Sequence, residues 1–272
     1  MPAGAAERHV DVAIMQPGYL PWLGYFDLVA LADTFVLYDD VQFDKGGWRN
    51  RNRMLGPRGG PQWLTAPVMT AGRLAQTIHD TELKPNNWQA KHLRTIQQIY
   101  ARAPFFDWCF PAIDRYLGGG TYRWLVDLCL DGHNALSALL GLQTPLILSS
   151  ELGFRGIGTT ERLVAICKSC GATRYIAANA SKSYMDESLW RAAGVALVYQ
   201  NYPHPAYAQF GDDFVSHLSI LDALMFVGPA TRSLVGVSHP KERNAAPMHR
   251  QIVTVDVAGL DSGYPTITPA GA

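Results

Sequence analysis

A chain of 272 residues, 48% hydrophobic and 17% charged, can build one large α/β domain or two small ones, with little left for disorder outside its ends. Its 23 basic residues balance 23 acidic ones, which gives no ground for bulk attraction to nucleic acid or membrane. No window approaches the roughly 18 consecutive apolar residues of a membrane helix, and the start, MPAGAAERHVDVA, lacks the basic-then-apolar order of a secretory signal; a cytoplasmic protein with no membrane partner is expected.

Residues 1–9 read as a leader, and Val10–Met15 as a buried strand. Leu20–Asp33 is apolar on most sides, a buried helix, and Thr34–Val41 is a second strand. Strand, helix, strand in about 30 residues is one βαβ unit with parallel strands and a right-handed crossover. Gly46–Gly60 is polar and glycine-rich, and Gln62–Pro67 is a short strand. Trp88–Arg102 and Tyr122–Leu140 read as helices, the second stopped by Gly141; residues from about 85 to 142 form a helical insertion. Alternation then resumes: strand Pro145–Ser149, helix Thr160–Cys170, strand Tyr175–Ala178, helix Glu187–Ala193 capped by Asp186, strand Val195–Tyr199 and helix Ser219–Val227. Residues 229–272 form a loop-like C-terminal extension, with Ile252–Val257 as a last strand. The cysteines stand at 109, 129, 167 and 170; CKSC has metal or redox spacing but no second pair, so all four are read as reduced packing residues. The expected fold class is α/β, a mostly parallel sheet with helices on both faces and a central helical insertion, in a single domain over 10–228.

In a parallel sheet every strand's carboxyl end lies on one edge, where ligands bind. That rule gathers four polar clusters from distant parts of the chain. QPGYLPW follows the first strand, with Gln16, Tyr19 and Trp22 in a turn stiffened by Pro17 and Pro21 and leading to a helix start, a setting that suits an anion. Asp39 and Asp40 close the second strand, and strand alternation turns one of them into the crevice. NASKSYMD supplies Lys182 and Tyr184, and QNYPHPAYAQ supplies His204, Tyr207 and Gln209. Two further groups join them. In KGGWRNRNRM an extended backbone puts Arg49, Arg51 and Arg53 on one face and Asn50 and Asn52 on the other, and arginine forks suit phosphate or carboxylate. His92, beside Lys91, lies in the insertion's first helix, which Trp88 opens. A turn acid, a solvated charged hairpin and a packed histidine are the competing structural readings. The chain has no G-x-S-x-G elbow, Walker loop, G-x-G-x-x-G or H-E-x-x-H, which disfavours the common hydrolases, P-loop enzymes, dinucleotide dehydrogenases and zincins.

These segments, in order, resemble the WbqC-like family of bacterial proteins: the Gln-Pro-x-Tyr-x-Pro-Trp-x-Gly start at Gln16–Gly24, Asp-Asp-Val-Gln at Asp39–Gln42, Trp-x-Asn-Arg at Trp48–Arg51, Lys-His at Lys91–His92 and Ser-Ile-Leu-Asp at Ser219–Asp222. The resemblance covers roughly residues 10 to 228. It implies a role in surface-polysaccharide or natural-product biosynthesis, with an aminoacyl group such as glycine added to a small polar acceptor. The opening βαβ unit is similar to the nucleotidyltransferase-like branch of Rossmann-like folds, in which such a turn holds a nucleotide's phosphates, and in broad outline to pantothenate synthetase.

The expectation is therefore an amide-forming aminoacyl or acyl transferase. Asp39 or Asp40 binds or deprotonates the acceptor amine, Arg49 and Arg51 hold an anionic group, His92 or His204 moves protons, and Lys182 or Tyr184 steadies the oxyanion. The donor is an activated acyl group, with a carrier-protein thioester and an aminoacyl-tRNA as candidates. An ATP-dependent ligase or nucleotidyltransferase, with ATP and magnesium as cofactors, is the first alternative, although the His-x-x-His of that superfamily is missing. A non-catalytic ligand-binding protein of a biosynthetic complex is the second.

Overall fold

The structure is a computed structural model that describes residues 9–56, 59–73 and 75–238. Its centre is a five-stranded parallel sheet: β1 (Asp11–Met15), β2 (Thr34–Leu37), β5 (Leu146–Leu148), β6 (Arg174–Ala177) and β7 (Ala196–Tyr199), in the order β5-β2-β1-β6-β7. Strand β1 is paired with β2 from Val12 opposite Thr34 to Met15 opposite Leu37, and with β6 from Asp11 opposite Arg174. The chain thus winds outward from β1 one way, then returns to lay β6 and β7 on β1's other side. This is the doubly wound Rossmann order, with its switch point between β1 and β6.

Helices cover both faces, as the near-continuous apolar strands require. Val12, Ile14, Val36, Tyr175 and Ala177 face one way, onto α5 (Thr159–Ser169) and α6 (Glu187–Ala193), where Trp190 stacks on Tyr175 at 4.7 Å between centroids. Ala13, Phe35, Leu37 and Ile176 face the other way, toward α1 (Leu23–Leu31), α4 (Leu125–Leu140) and α7 (Ile220–Val227). Asp186 caps α6 by accepting from the Ser188 N–H, as its position in the sequence predicts. Gly141 stops α4 in the left-handed conformation, φ 65°, that glycine adopts without strain.

Between β2 and β5 lies an insertion larger than a single crossover. It holds an antiparallel hairpin, β3 (Arg51–Leu55) and β4 (Pro61–Thr65), then α2 (Trp88–Tyr100), α3 (Phe106–Gly118) and α4. The segment after Gly228 is not loop-like: Gly228–Leu234 is a 3-10 helix, Leu234 and Val235 are buried, and Ser238 donates its hydroxyl and backbone N–H to Asp27 of α1. The strand expected at Ile252–Val257 lies outside the described residues.

Candidate functional site

The loop after β1 does not stand alone. Tyr19 N–H donates to the Arg49 carbonyl at 2.9 Å, Ile220 N–H to the Pro21 carbonyl at 2.8 Å, and Ser219 N–H to the Arg53 carbonyl at 2.7 Å. These bonds lace three segments, residues 16–22, 49–53 and 217–220, around a cavity of about 300 Å³ beside the carboxyl end of β1. It is lined by Met15, Gln16, Gly18, Pro21, Trp22 and Tyr25 on one side and by Trp48, Arg49, Asn52, Arg53 and His217 on the other. Its size suits one small molecule, at the low end of ligand cavities. Three non-glycine residues among those described have left-handed φ: His217, which lines the cavity, Leu20, in the first loop, and His204, whose ring packs on His217. Backbone strain of this kind concentrates at functional sites.

The cavity is cationic by construction. Arg49 and Arg53 line it, and no carboxylate does. Burial lowers the pKa of Arg49, and its nearest acid, Asp44, stands 3.4 Å away without an aligned hydrogen bond. Arg53 reaches the His217 carbonyl through Nη2 at 3.2 Å, while its Nε is buried with no hydrogen-bond partner. Buried guanidinium donors without partners are costly, and two guanidiniums beside a cavity suit an anion.

His217 is the titratable group best placed to react. Its ring packs against both Trp22, 5.2 Å away, and His204, 4.5 Å away, which also stack on each other at 5.8 Å, and Ser216 Oγ holds its Nδ1 at 2.8 Å. Burial and the neighbouring Arg53 charge both lower its pKa, so the imidazole is neutral near pH 7 and open to a proton. Gly24 belongs to the same device. A Cβ there would lie 2.3 Å from the Trp22 ring, so only glycine lets the indole fold back over the start of α1.

Asp39 and Asp40 lie elsewhere on the carboxyl edge. Strand β2 ends at Leu37, so the alternation expected for the two acids does not apply, and one hydroxyl, Ser149 Oγ, reaches both of them, at 3.0 and 2.5 Å. Asp39 also accepts from the Ser150 N–H at 2.9 Å, Ser150 Oγ at 2.7 Å and His79 Nδ1 at 2.9 Å. Burial pushes its pKa up, but the bonds from Ser150, His79 and Ser149 outweigh that and leave it below the usual value. Asp40 pairs with Arg162 at 2.5 Å and Arg155 at 3.2 Å. Every oxygen of both acids already accepts, so the pair does not fit a magnesium ion, and no step is routed through one.

Gln16, Trp22 and Arg49 line the cavity. Tyr19 is fully buried behind it, its hydroxyl 2.9 Å from His92 Nδ1. His92 is a packed histidine held also by the Thr65 backbone; burial lowers its pKa to about 4. His204 lies behind His217 and accepts from the His217 N–H on Nε2 at 2.9 Å, with its pKa lowered to about 4 by burial and by His217. Tyr207 and Gln209, at 3.0 and 2.5 Å, join Tyr100, at 2.9 Å, in donating to buried Asp222. Asn50 binds the Ala66 carbonyl at 2.8 Å and braces the hairpin. Arg51 faces out from the hairpin, its guanidinium 4.1 Å over the Trp63 ring. Lys182 stands 5.7 Å over Tyr199, and Tyr184 is exposed, in the 3-10 turn beyond β6 and away from the cavity lining.

Sequence reasoning passed over His217, Asn52, Arg53, Trp48 and Tyr25 as site residues. Arg53 and Asn52 were visible as members of the alternating arginine and asparagine run. His217 had one signal only, its place two residues before the Ser219 cap of α7.

Fold and site together define a Rossmann-type α/β protein with a small cationic cavity beside its topological switch point. A sequence model of the WbqC-like protein family matches residues 16–234, and the chain belongs to that family. The uncharacterized protein Rv1507c of Mycobacterium tuberculosis (strain ATCC 25618 / H37Rv) is 37% identical over 223 residues, which cover 80% of this chain and 94% of the relative. No solved structure matches the chain. Among the described residues no helix is long and apolar enough to cross a membrane.

Proposed function

We propose that this chain is an enzyme that holds a small anionic substrate in the cavity and forms an amide by acyl or aminoacyl transfer. One observation supports this above the others: two guanidiniums and one imidazole line a cavity that no carboxylate lines. Arg49 and Arg53 orient the anion and remain available to developing negative charge. His217 takes the proton from the attacking amine as its nitrogen bonds to the acyl carbon. The bond from that carbon to the leaving sulfur or oxygen then breaks, and the proton passes from His217 to the leaving group. The donor is already activated, as a thioester or ester.

The test supplies the full-length protein with a glycyl thioester and glucosamine 6-phosphate or glucosamine, and follows thiol release. Release is expected to depend on the phosphorylated amine and to fall by about 10²-fold or more in His217→Gln, the scale of a general base. Equal release with the uncharged amine, or full activity in the variant, would remove the cavity from the reaction.

A further inference from the structure

Two tryptophans stand at the mouth of the cavity and on the hairpin beside it. Trp48 and Trp63 are 42% and 46% exposed, and their rings meet at 4.9 Å between centroids. Arg51 lies 4.1 Å over Trp63, and Arg53 lies 5.3 Å from the Trp48 ring. Arg51 is itself pinned to the Gly46 and Gly47 carbonyls, so the indoles are held rather than free. The hairpin's opposite face supplies its anchorage, through buried Asn52, Met54 and Leu64. The exposed pair is therefore not needed to hold the hairpin on the core. Trp48 and Arg53 also line the cavity, so the platform and the cavity form one continuous surface.

We propose that the platform stacks a nucleobase, and that the anion in the cavity is that nucleotide's phosphate; this rests on the cavity being the substrate site. Indole faces bounded by guanidiniums suit a planar π-system that carries negative charge. A sugar ring would also stack on tryptophan, but its hydroxyls need acceptors at the edge of the platform. The strand residues of this face, Arg51, Arg53, Trp63 and Thr65, include no carboxylate, and Asp44, in the loop before Trp48, stands 3.4 Å from Arg49. The nucleotide can come free or as the end of an RNA chain, and the chemistry recognised is the same.

The experiment is calorimetric titration of the full chain with AMP, ribose 5-phosphate and glucose 1-phosphate, with tryptophan emission followed in parallel. AMP is expected to bind about ten-fold more tightly than ribose 5-phosphate, the scale of one base stacked on an aromatic ring, and to quench emission where ribose 5-phosphate does not. Trp63→Ala is expected to abolish that ten-fold advantage while leaving ribose 5-phosphate affinity unchanged. AMP and ribose 5-phosphate binding alike, glucose 1-phosphate matching AMP, or no quenching by AMP would overturn the platform and leave the anion cavity standing. If no phosphate ligand binds, the cavity reading fails and the platform falls with it. Single-stranded tetra-adenylate separates the two sources: affinity well above that of AMP identifies an RNA end, and affinity at or below it a free nucleotide.

Discussion

Two charged clusters sit on the carboxyl edge of the same sheet, and they differ in one respect. Around Asp39 and Asp40 every acid oxygen already accepts from a hydroxyl, an amide, an imidazole or a guanidinium. Arg49 and Arg53 line a cavity, and each keeps a buried Nε with no hydrogen-bond partner. Residue type alone favours the aspartates, since carboxylates serve as bases and as metal ligands. Valence favours the arginines. Acids whose oxygens are all engaged hold loops in place, whereas a cationic cavity that no carboxylate lines gains free energy when an anion binds.

The largest effect should come from opening the closed cluster. Asp40→Ala leaves Arg162, itself buried, with an uncompensated charge. Removing one partner of a buried pair costs about 3–5 kcal/mol. Urea unfolding should show that loss, and the fraction still folded should bind AMP as the parent chain does. A variant of near-normal stability that had lost its ligand would reverse the assignment of the two clusters.

Acid tests the same contrast without mutation. His92 and His133 are buried, and burial lowers both to a pKa of about 4. Below pH 6.5 the unfolded chain binds protons that these folded histidines refuse, so stability falls as pH drops from about 6.5 toward 4. Each should cost on the order of 2 kcal/mol between pH 7 and pH 5. Asp222 acts with the opposite sign. Burial outweighs its three hydrogen bonds and raises it to about 6, so its protonation as the pH falls recovers part of that loss, on the order of 1 kcal/mol. Thermal unfolding midpoints should therefore decline from pH 7 to pH 5. A flat profile would mean that the histidines are not shielded as the structure places them.

Arg49→Met addresses the open cluster. The side chain is mostly buried and poorly paired, so an apolar replacement of similar length should leave the unfolding midpoint unchanged or raise it. Affinity for phosphate-bearing ligands should fall by about 10- to 100-fold, the scale of a charged hydrogen bond. A destabilised variant with unchanged affinity would make Arg49 a structural residue like Arg162.

The sheet was legible because it rests on local pattern. Apolar runs separated by capped helices predict the parallel strands from Val10–Met15 onward, and Asp186 and Gly194 mark α6 to the residue. The hairpin face was legible too, because alternation alone separates Arg51 and Arg53 from Asn50 and Asn52. The extra helix α3 was harder to see, with Pro111 inside it and turns at both ends. The site was only half legible. Gln16, Trp22 and Arg49 were found because a rigid turn and an arginine run stand out in sequence. Spacing cannot say which polar groups have partners. The hydroxyls of Ser149 and Ser150 that saturate the aspartates come from more than 100 residues away, as the 109- to 111-residue separations of those bonds show. His217 likewise gains its role from Trp22 and Arg53, remote segments that no local pattern couples to it.

His217 is the point at which the comparison becomes a statement about chemistry. Three other histidines of the described chain, His92, His133 and His204, give Nδ1 or Nε2 to a tyrosine hydroxyl or a backbone amide and are packed away from substrate. His217 lines the cavity and is exposed. Substitution by glutamine gives up ring contacts with Trp22 and His204 and keeps a left-handed backbone, so it should cost on the order of 1 kcal/mol of stability. It should lower kcat with little effect on KM, because the arginines and not the imidazole hold the anion. The acid limb of the rate profile should also vanish. Because burial and Arg53 lower the imidazole pKa, that limb in the parent chain should lie below the usual histidine value of about 6.5. A variant that kept the limb would assign the base to another group, and one that raised KM alone would make His217 a grip on the ligand.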